Sequence, residues 1–378
     1  MSIGMLSLSG FNNRALITLC REARRHGRVI HLLARNEQDP LLLTDYAQWV
    51  HQVRTSSALE LPMLLEAVRA LRQRHGYRQV LIIPICEFFN RFILEPRHRQ
   101  ALEAEGAIVP LVDQALYHCV SDKYSFGQLC ADFGIEQPRE LGAPAPGDFP
   151  LVAKPRSYGG RATVQLKPVI LADPLQYAAF LTQHNGDDFY LQEFATGASV
   201  YLLYHVSRSG QCSVLQQRNL LQQAGGNSMV AAEQVDVDPA LSAPYERMLR
   251  SVGFHGLIMI EVRCSATRHV MIEANPRPWG PMQLVADAGG QLIVDFFAEH
   301  GVIPPRPAHA PQAPASARYF WSGGLVADQR KGRQVDALDG GNGVHLLDHY
   351  MAWLGADLLL RDDTLPLYYA ELKGTHST

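Results

Sequence analysis

Segments of strand character and segments of helix character alternate through the front of this chain, and that alternation constrains its fold more than any other feature. A small-residue opening, Gly4 to Gly10, precedes Ala15 to Ala23, whose apolar residues have helical spacing, and Val29 to Leu33 then reads as a short strand. Leu61 to Arg74 is an amphipathic helix with Leu64, Leu65, Val68 and Leu71 on one face. Val80 to Pro84 and Ala107 to Leu111 are further strands of buried type. Strands separated by helices imply parallel pairing, so the expected front end is a parallel, Rossmann-like α/β domain. No G-x-G-x-x-G follows its first strand, which argues against a dinucleotide site.

The pattern then changes. Asp122 to Phe133 reads as a helix with Ser121 at its N-cap. A Pro/Gly-rich turn, Gly142 to Pro150, leads into strands at Leu151–Lys154 and Thr163–Leu166, which flank Arg156-Ser157-Tyr158-Gly159-Gly160-Arg161. Strands are also expected at Phe189–Phe194, Val200–Val206 and Cys212–Gln217, and a hairpin at Leu257–Arg263 with His269–Glu273. The fold class is therefore an α/β front domain followed by an α+β body with antiparallel sheets. Pro304 to Ala317 holds five prolines and no period, as in a linker or surface loop. In the tail beyond it, the pairs Gly323-Gly324 and Gly340-Gly341 suggest turns, and Leu346 to Leu360 a helix followed by a strand.

Composition excludes several classes of function. With 34 Lys+Arg against 37 Asp+Glu the formal charge is −3, without the cationic excess that nucleic acid or an anionic membrane surface would require. The 6 cysteines are far apart and form no C-x-x-C pair, so neither a disulfide framework nor a zinc site is expected, and the 15 histidines are scattered too. The longest apolar run, Val80 to Cys86, is far short of the ~20 residues of a membrane span. The start lacks a basic n-region, so no secretory signal is read there. A cytoplasmic location is expected, with no nucleic-acid or membrane partner.

The chemistry is concentrated between Leu257 and Met282. Glu261 and Glu273 lie twelve residues apart on the two hairpin strands. If the register centres on Thr267 the two carboxylates face each other on one side of the sheet, and Asn275 returns to that side because strand side chains alternate. Like charges directly across a ladder are unfavourable without a cation between them. Two carboxylates and an amide oxygen suit Mg2+, which retains waters and takes phosphate oxygens as its other ligands. Arg277, one alternation further on, would add a fixed positive charge. The bland reading of the same residues is a solvated acidic hairpin.

Glu273-Ala274-Asn275-Pro276-Arg277, with Glu261 upstream, resembles the metal-binding signature of the ATP-grasp superfamily, and the following Trp279-Gly280 is similar to the branch with the carbamoyl phosphate synthetase large subunit and carboxylate–amine ligases. The resemblance implies a pre-ATP-grasp domain over residues 1–115, a small lobe with a Gly-rich loop over 116–190, and a large lobe with the metal site over 191–303. Residues 304–378 would be a linker and C-terminal extension that either completes the acceptor site or forms a subunit interface, as in a homodimer. It implies Lys123 and Lys154 as phosphate-binding lysines, Ser157, Gly159 and Gly160 as the loop over the phosphates, and Gln192, Glu193, Phe194 and Ala195 as the adenine-binding hinge. Glu261, Glu273 and Asn275 would hold Mg2+, or Mn2+ in its place. Arg277, Lys154 and Arg218 would act on the transferring group, with Arg218 as a carboxylate or acyl-phosphate clamp; a surface arginine on a strand is the competing reading. The chain departs from the family pattern at Arg161-Ala162, where a further glycine is common, and at Ala198-Ser199, where many members carry an acid for the ribose.

The activity so implied is an ATP-dependent carboxylate–amine ligase. ATP would phosphorylate a small-molecule carboxylate, ADP would leave, and an amine would displace phosphate. The alternatives are a phosphotransferase or bicarbonate/ammonia-using enzyme of the same superfamily, and a non-catalytic nucleotide-binding regulator. The ends of the first and fourth strands, Ser9 to Asn12 and Glu87, fall where doubly wound sheets bind ligands.

Overall fold

The computed structural model describes residues 2–56, 58–158, 166–305, 317–338 and 350–376. The alternating front segment forms β1 (Ile3–Leu8), α1 (Asn13–Arg25), β2 (Ile30–Ala34), β3 (Val50–Val53), α2 (Leu61–His75), β4 (Gln79–Ile82), α3 (Glu87–Leu94), α4 (Pro96–Ala104) and β5 (Ala107–Ile108). All the strand pairs are parallel, in the order β3-β2-β1-β4-β5. The strands are apolar on both faces because helices cover both, which is why they read as continuous apolar runs rather than alternating ones. The order reverses between β1 and β4, and the loops leaving these two strands open side by side.

The helix expected over Asp122–Phe133 is present one residue shorter at each end, and a further helix, which the sequence does not announce, precedes it. α5 (Gln114–Ser121) ends at the residue read as an N-cap, and α6 (Lys123–Asp132) begins after Asp122. The Ser121 hydroxyl instead accepts a hydrogen bond from Arg91 at 2.8 Å.

The small lobe is a four-stranded antiparallel sheet of β6 (Glu140–Leu141), β7 (Leu151–Pro155), β8 (Val169–Leu171) and β9 (Phe189–Glu193), in the order β6-β9-β7-β8, with α7 (Pro174–Gln183) against it. The strand expected at Thr163–Leu166 lies almost entirely outside the described residues, as do Gly159, Gly160 and Arg161 of the glycine-rich segment.

The large lobe is built on β10 (Ala198–Val206), β11 (Cys212–Gln222), β12 (Met229–Val235), β13 (Gly256–Cys264) and β14 (His269–Asn275), with α8 (Pro239–Ser251), α9 (Met282–Asp287) and α10 (Gln291–Glu299) packed on it. Its strand order is β14-β13-β10-β11-β12-β15, and the last strand, β15 (Arg318–Phe320), comes from the tail.

The tail is thus part of the main sheet. Gly323 and Gly324 lie inside α11 (Ser322–Arg330), not in a turn; a Cβ on either would collide with Trp321 or Glu371. Most of the proline-rich stretch, the Gly340-Gly341 pair and the start of the expected helix at Leu346 lie outside the described residues; a helix is present at Tyr350–Leu354. Beyond it the chain returns to the front domain. Arg21 on α1 grips Asp363 through two hydrogen bonds of 2.7 and 2.8 Å, and the Tyr46 hydroxyl donates to the same carboxylate at 2.6 Å. A single apolar cluster runs from the front sheet through the large lobe to Leu358, Leu359 and Leu367 of the tail.

Candidate active site

The hairpin β13–β14 pairs Glu261 with Glu273, as the sequence expectation required, but by a different route. The turn is centred half a residue before Thr267, with Cys264 opposite His269 and Val262 opposite Met271. Continued without interruption, that register would set Glu261 opposite Ile272. A β-bulge on β14 inserts one extra residue there and restores the pairing of the two carboxylates. The carbonyl of Ile272 at this bulge accepts a hydrogen bond from the Lys154 ammonium at 2.9 Å. The irregularity therefore both aligns the acids and seats one of the two expected lysines.

Lys123, the first residue of α6, ion-pairs with Glu273 through Oε2. The other oxygen, Oε1, accepts from the Asn275 amide at 2.8 Å, and Asn275 Oδ1 accepts from Arg277 at 2.9 Å. Burial alone would push Glu273 up, but the Lys123 charge, then its hydrogen bond and that of Asn275, outweigh it and hold the carboxyl at about 2. Glu261 is shifted the other way: burial raises it, against the pull of Arg263, and the Glu273 charge raises it further. Lys154, almost fully buried, is pushed down to about 8 by burial and by Lys123.

Behind Glu261 lies a polar track that the sequence reading missed. The Ser199 hydroxyl donates to Glu261 Oε1 at 3.0 Å and accepts from Asn219 Nδ2 at 2.9 Å, while Asn219 Oδ1 accepts from Gln217 at 2.6 Å. These side chains are buried on one face of neighbouring strands. Ser199 therefore braces Glu261, a metal-site candidate, from inside the sheet. The available signal was the run of polar residues Gln216 to Asn219 in a strand otherwise suited to burial.

Arg218 is a correction. It precedes Asn219 on β11, so its side chain leaves the opposite face of the sheet, where it is half exposed and paired with Glu233. It does not reach the acidic cluster and cannot clamp a group bound there.

At the expected hinge, Gln192 and Glu193 end β9, and Phe194 and Ala195 follow with no backbone hydrogen-bond partner among the described residues. Gln192 turns its amide nitrogen to the Pro138 carbonyl at 3.2 Å and leaves its buried Oε1 without a partner. Glu193 is held by Arg268 at 2.8 Å, which ties the hinge to the β13–β14 turn. Gly197 has φ +114° and lies so close to the Cys264 carbonyl that a Cβ would come within 2.5 Å of it, so no other residue fits.

Ser157 is exposed after β7. The Tyr158 backbone N–H donates to Asp122 at 3.0 Å, and Arg91 lies over the Tyr158 ring at 4.6 Å, so the glycine-rich segment starts from a fixed point beside Lys123.

Two cavities meet at this cluster. A cavity of about 220 Å3 is lined by Lys123, Ser157 and Tyr158. A larger one of about 400 Å3 is lined by Phe11, Asn12, Phe88 and Trp279. Glu87, Tyr158, Glu273, Asn275 and Arg277 line both. The loops leaving β1 and β4 thus wall the larger cavity through Phe11, Asn12 and Glu87. Ser9 instead turns inward, with its hydroxyl on Asp39.

The sequence matches no family model and no curated protein. Solved structures do match. The biotin carboxylase domain of Hydrogenobacter thermophilus 2-oxoglutarate carboxylase, in complex with MgADP, ADP and bicarbonate, superposes with a TM-score of 0.58 at 11% identity, covering 81% of this chain and 71% of that one. The Campylobacter jejuni biotin carboxylase complexed with β-γ-ATP gives 0.59 at 12% identity over 82% and 73%. N5-carboxyaminoimidazole ribonucleotide synthetase from Thermotoga maritima gives 0.54 at 12% identity over 83% and 79%. The shared architecture is the ATP-grasp fold: a parallel α/β sheet in front, and two antiparallel lobes behind.

Proposed function

We propose that this chain is an ATP-dependent ligase that activates a carboxylate as an acyl phosphate and joins it to an amine, releasing ADP. The observation that carries the reading is the shared wall. Glu273, Asn275 and Arg277 separate a small cavity beside Lys123 from a larger one walled by the front sheet, so a phosphoryl donor and its acceptor would meet across one charged cluster. The ATP-grasp fold and the MgADP and β-γ-ATP complexes of the similar biotin carboxylases support a nucleotide in the smaller cleft.

In this reading Gln192, Glu193, Phe194 and Ala195 offer main-chain atoms to the adenine, and Lys123, Lys154, Ser157 and the glycines at 159 and 160 serve the phosphates. Glu261, Glu273 and Asn275 fit Mg2+ or Mn2+: they are hard oxygen donors, and an ammonium already rests on Glu273 where a cation is required. The metal, when bound, neutralises phosphate charge.

A carboxylate oxygen of the acceptor attacks the γ-phosphorus in line, and the bond to the β-phosphate oxygen breaks, leaving ADP. The amine nitrogen then attacks the acyl carbon, phosphate departs, and the amine proton is lost. Lys154 and Arg277 stabilise the developing charge from fixed positions, which is most of what phosphoryl transfer demands. Lys123 has to leave Glu273 to meet a phosphate, so it exchanges one anion for another rather than becoming desolvated alone.

The test is a screen of the full chain with Mg-ATP against pooled carboxylic acids and amines, following ADP and phosphate. Release that requires both an acid and an amine supports the reading. Release of AMP and pyrophosphate refutes it.

A further inference from the structure

Resting on that reading, the larger cavity carries information about the acid. We propose that it takes an organic carboxylate bearing an aromatic or other bulky apolar group, and that the Trp279 indole N–H and the Arg277 Nε–H together hold the carboxylate.

Two buried donors in this wall have no acceptor. Arg277 uses its terminal nitrogens on Pro278 O at 3.2 Å and Asn275 Oδ1 at 2.9 Å, which leaves Nε–H unpartnered. Trp279, only 1% exposed, lines the same cavity and its Nε1–H is also unpartnered. A buried N–H left without an acceptor is costly, and two of them within one three-residue segment suit an anionic oxygen. The segment is held in place: Asn12 donates to Pro278 O at 3.1 Å and to Ile85 O at 3.3 Å, joining it to the front sheet. An anion bound there would lie beside Glu273 and Asn275, where phosphoryl transfer is proposed.

Two aromatic rings line the same cavity, beside the polar Asn12 and Glu87. Phe11 and Phe88, from the loops after β1 and β4, have ring centroids 6.0 Å apart and remain 39% and 47% exposed. Arg54, itself buried, backs the Phe11 ring at 5.4 Å. Glu87, beside these rings, has both oxygens engaged, by Arg91 at 2.6 Å and by the Tyr117 hydroxyl at 2.8 Å, which offsets its repulsion of a bound anion. The space of about 400 Å3 is an order of magnitude more than one water's share of ~30 Å3 and far exceeds what bicarbonate, with four heavy atoms, would fill.

The experiment measures binding to the MgADP-loaded full chain by titration calorimetry, with phenylacetate, acetate and bicarbonate as probes. Phenylacetate should bind at least about tenfold more tightly than acetate, and bicarbonate should not displace it. Trp279→Phe should weaken both organic acids by about tenfold. Phe88→Ala, at an exposed position that the fold does not depend on, should weaken phenylacetate alone. Equal affinity for phenylacetate and acetate, displacement by bicarbonate, or undiminished binding by folded Trp279→Phe would overturn the inference. The two readings fail separately. ADP release with bicarbonate alone would overturn the substrate class and leave ATP-dependent activation standing. Tight phenylacetate binding without ADP release with any amine would do the reverse.

Discussion

Glu273→Gln removes the charge that holds the cationic side of the cluster together. The substitution keeps the shape and one acceptor oxygen, so its cost is electrostatic. The carboxyl is held at about 2 against an ordinary 4.5. At ~1.4 kcal/mol for each tenfold change, that difference corresponds to ~3 kcal/mol of native-state stability at neutral pH. The side chain retains 24% exposure, and solvent screening reduces the figure to ~2 kcal/mol. For a chain of this size that is a fall in Tm of ~3 °C in the nucleotide-free protein. The contribution is present above the ordinary carboxyl range and is lost as pH falls toward 2, so wild type and variant should converge in acid. The same variant should lose most of the Tm increase that MgADP gives the wild type, because a proposed metal ligand is gone. Thermal melts with and without MgADP at neutral pH and near pH 3 read both effects. A variant with unchanged Tm and an unchanged MgADP shift would refute the assignment of Glu273 as the centre of the site.

Asp363→Ala leaves the buried Arg21 guanidinium unpaired and should cost ~3 kcal/mol, read by chemical denaturation. Arg218→Ala should change stability by less than ~1 kcal/mol, since its pair with Glu233 is exposed, and leave MgADP affinity intact. Asn219→Ala, one residue on, should weaken MgADP binding measurably by releasing Ser199 from its place on Glu261. On α10, burial raises the Glu299 carboxyl, but His205 and the Arg208 N–H outweigh it and hold it at about 2, while burial pushes the neighbouring His300 down to about 4. Both groups are depressed relative to the unfolded chain, so both stabilise near neutrality and lose that contribution in acid. Denaturation midpoints should fall from pH 6.5 to pH 3, less steeply in Glu299→Gln; equal slopes would refute this.

The parallel front sheet was legible in the sequence because helix and strand periods are local properties of a few consecutive residues. The acidic hairpin was legible too, since alternation fixes which of Glu273, Asn275 and Arg277 share a face once one pairing is known. The sequence did not reveal how the pairing arises: the turn is offset and the bulge at Ile272 corrects it, and a bulge has no sequence signature as strong as its geometric effect. Arg218 was misplaced for a related reason. The strand expected at Cys212–Gln217 stops one residue short of it, and which face of β11 looks toward Glu261 depends on the register of β11 against β10, set by contacts between residues far apart in sequence.

The tail shows the same division on a larger scale. Nothing local in its sequence predicts that Arg318–Phe320 completes the main sheet or that Asp363 closes on α1. Arg14, at the edge of the larger cavity, is seated by Tyr319 at 3.2 Å and by the Trp321 ring at 3.9 Å, both supplied by that tail. By itself, the sequence determined the residue types able to bind phosphate and metal, and the elements that carry them. The tertiary structure alone decided which of those groups converge, which donors stay without a partner, and how much space lies beside them, because burial and pairing are properties of the packed chain.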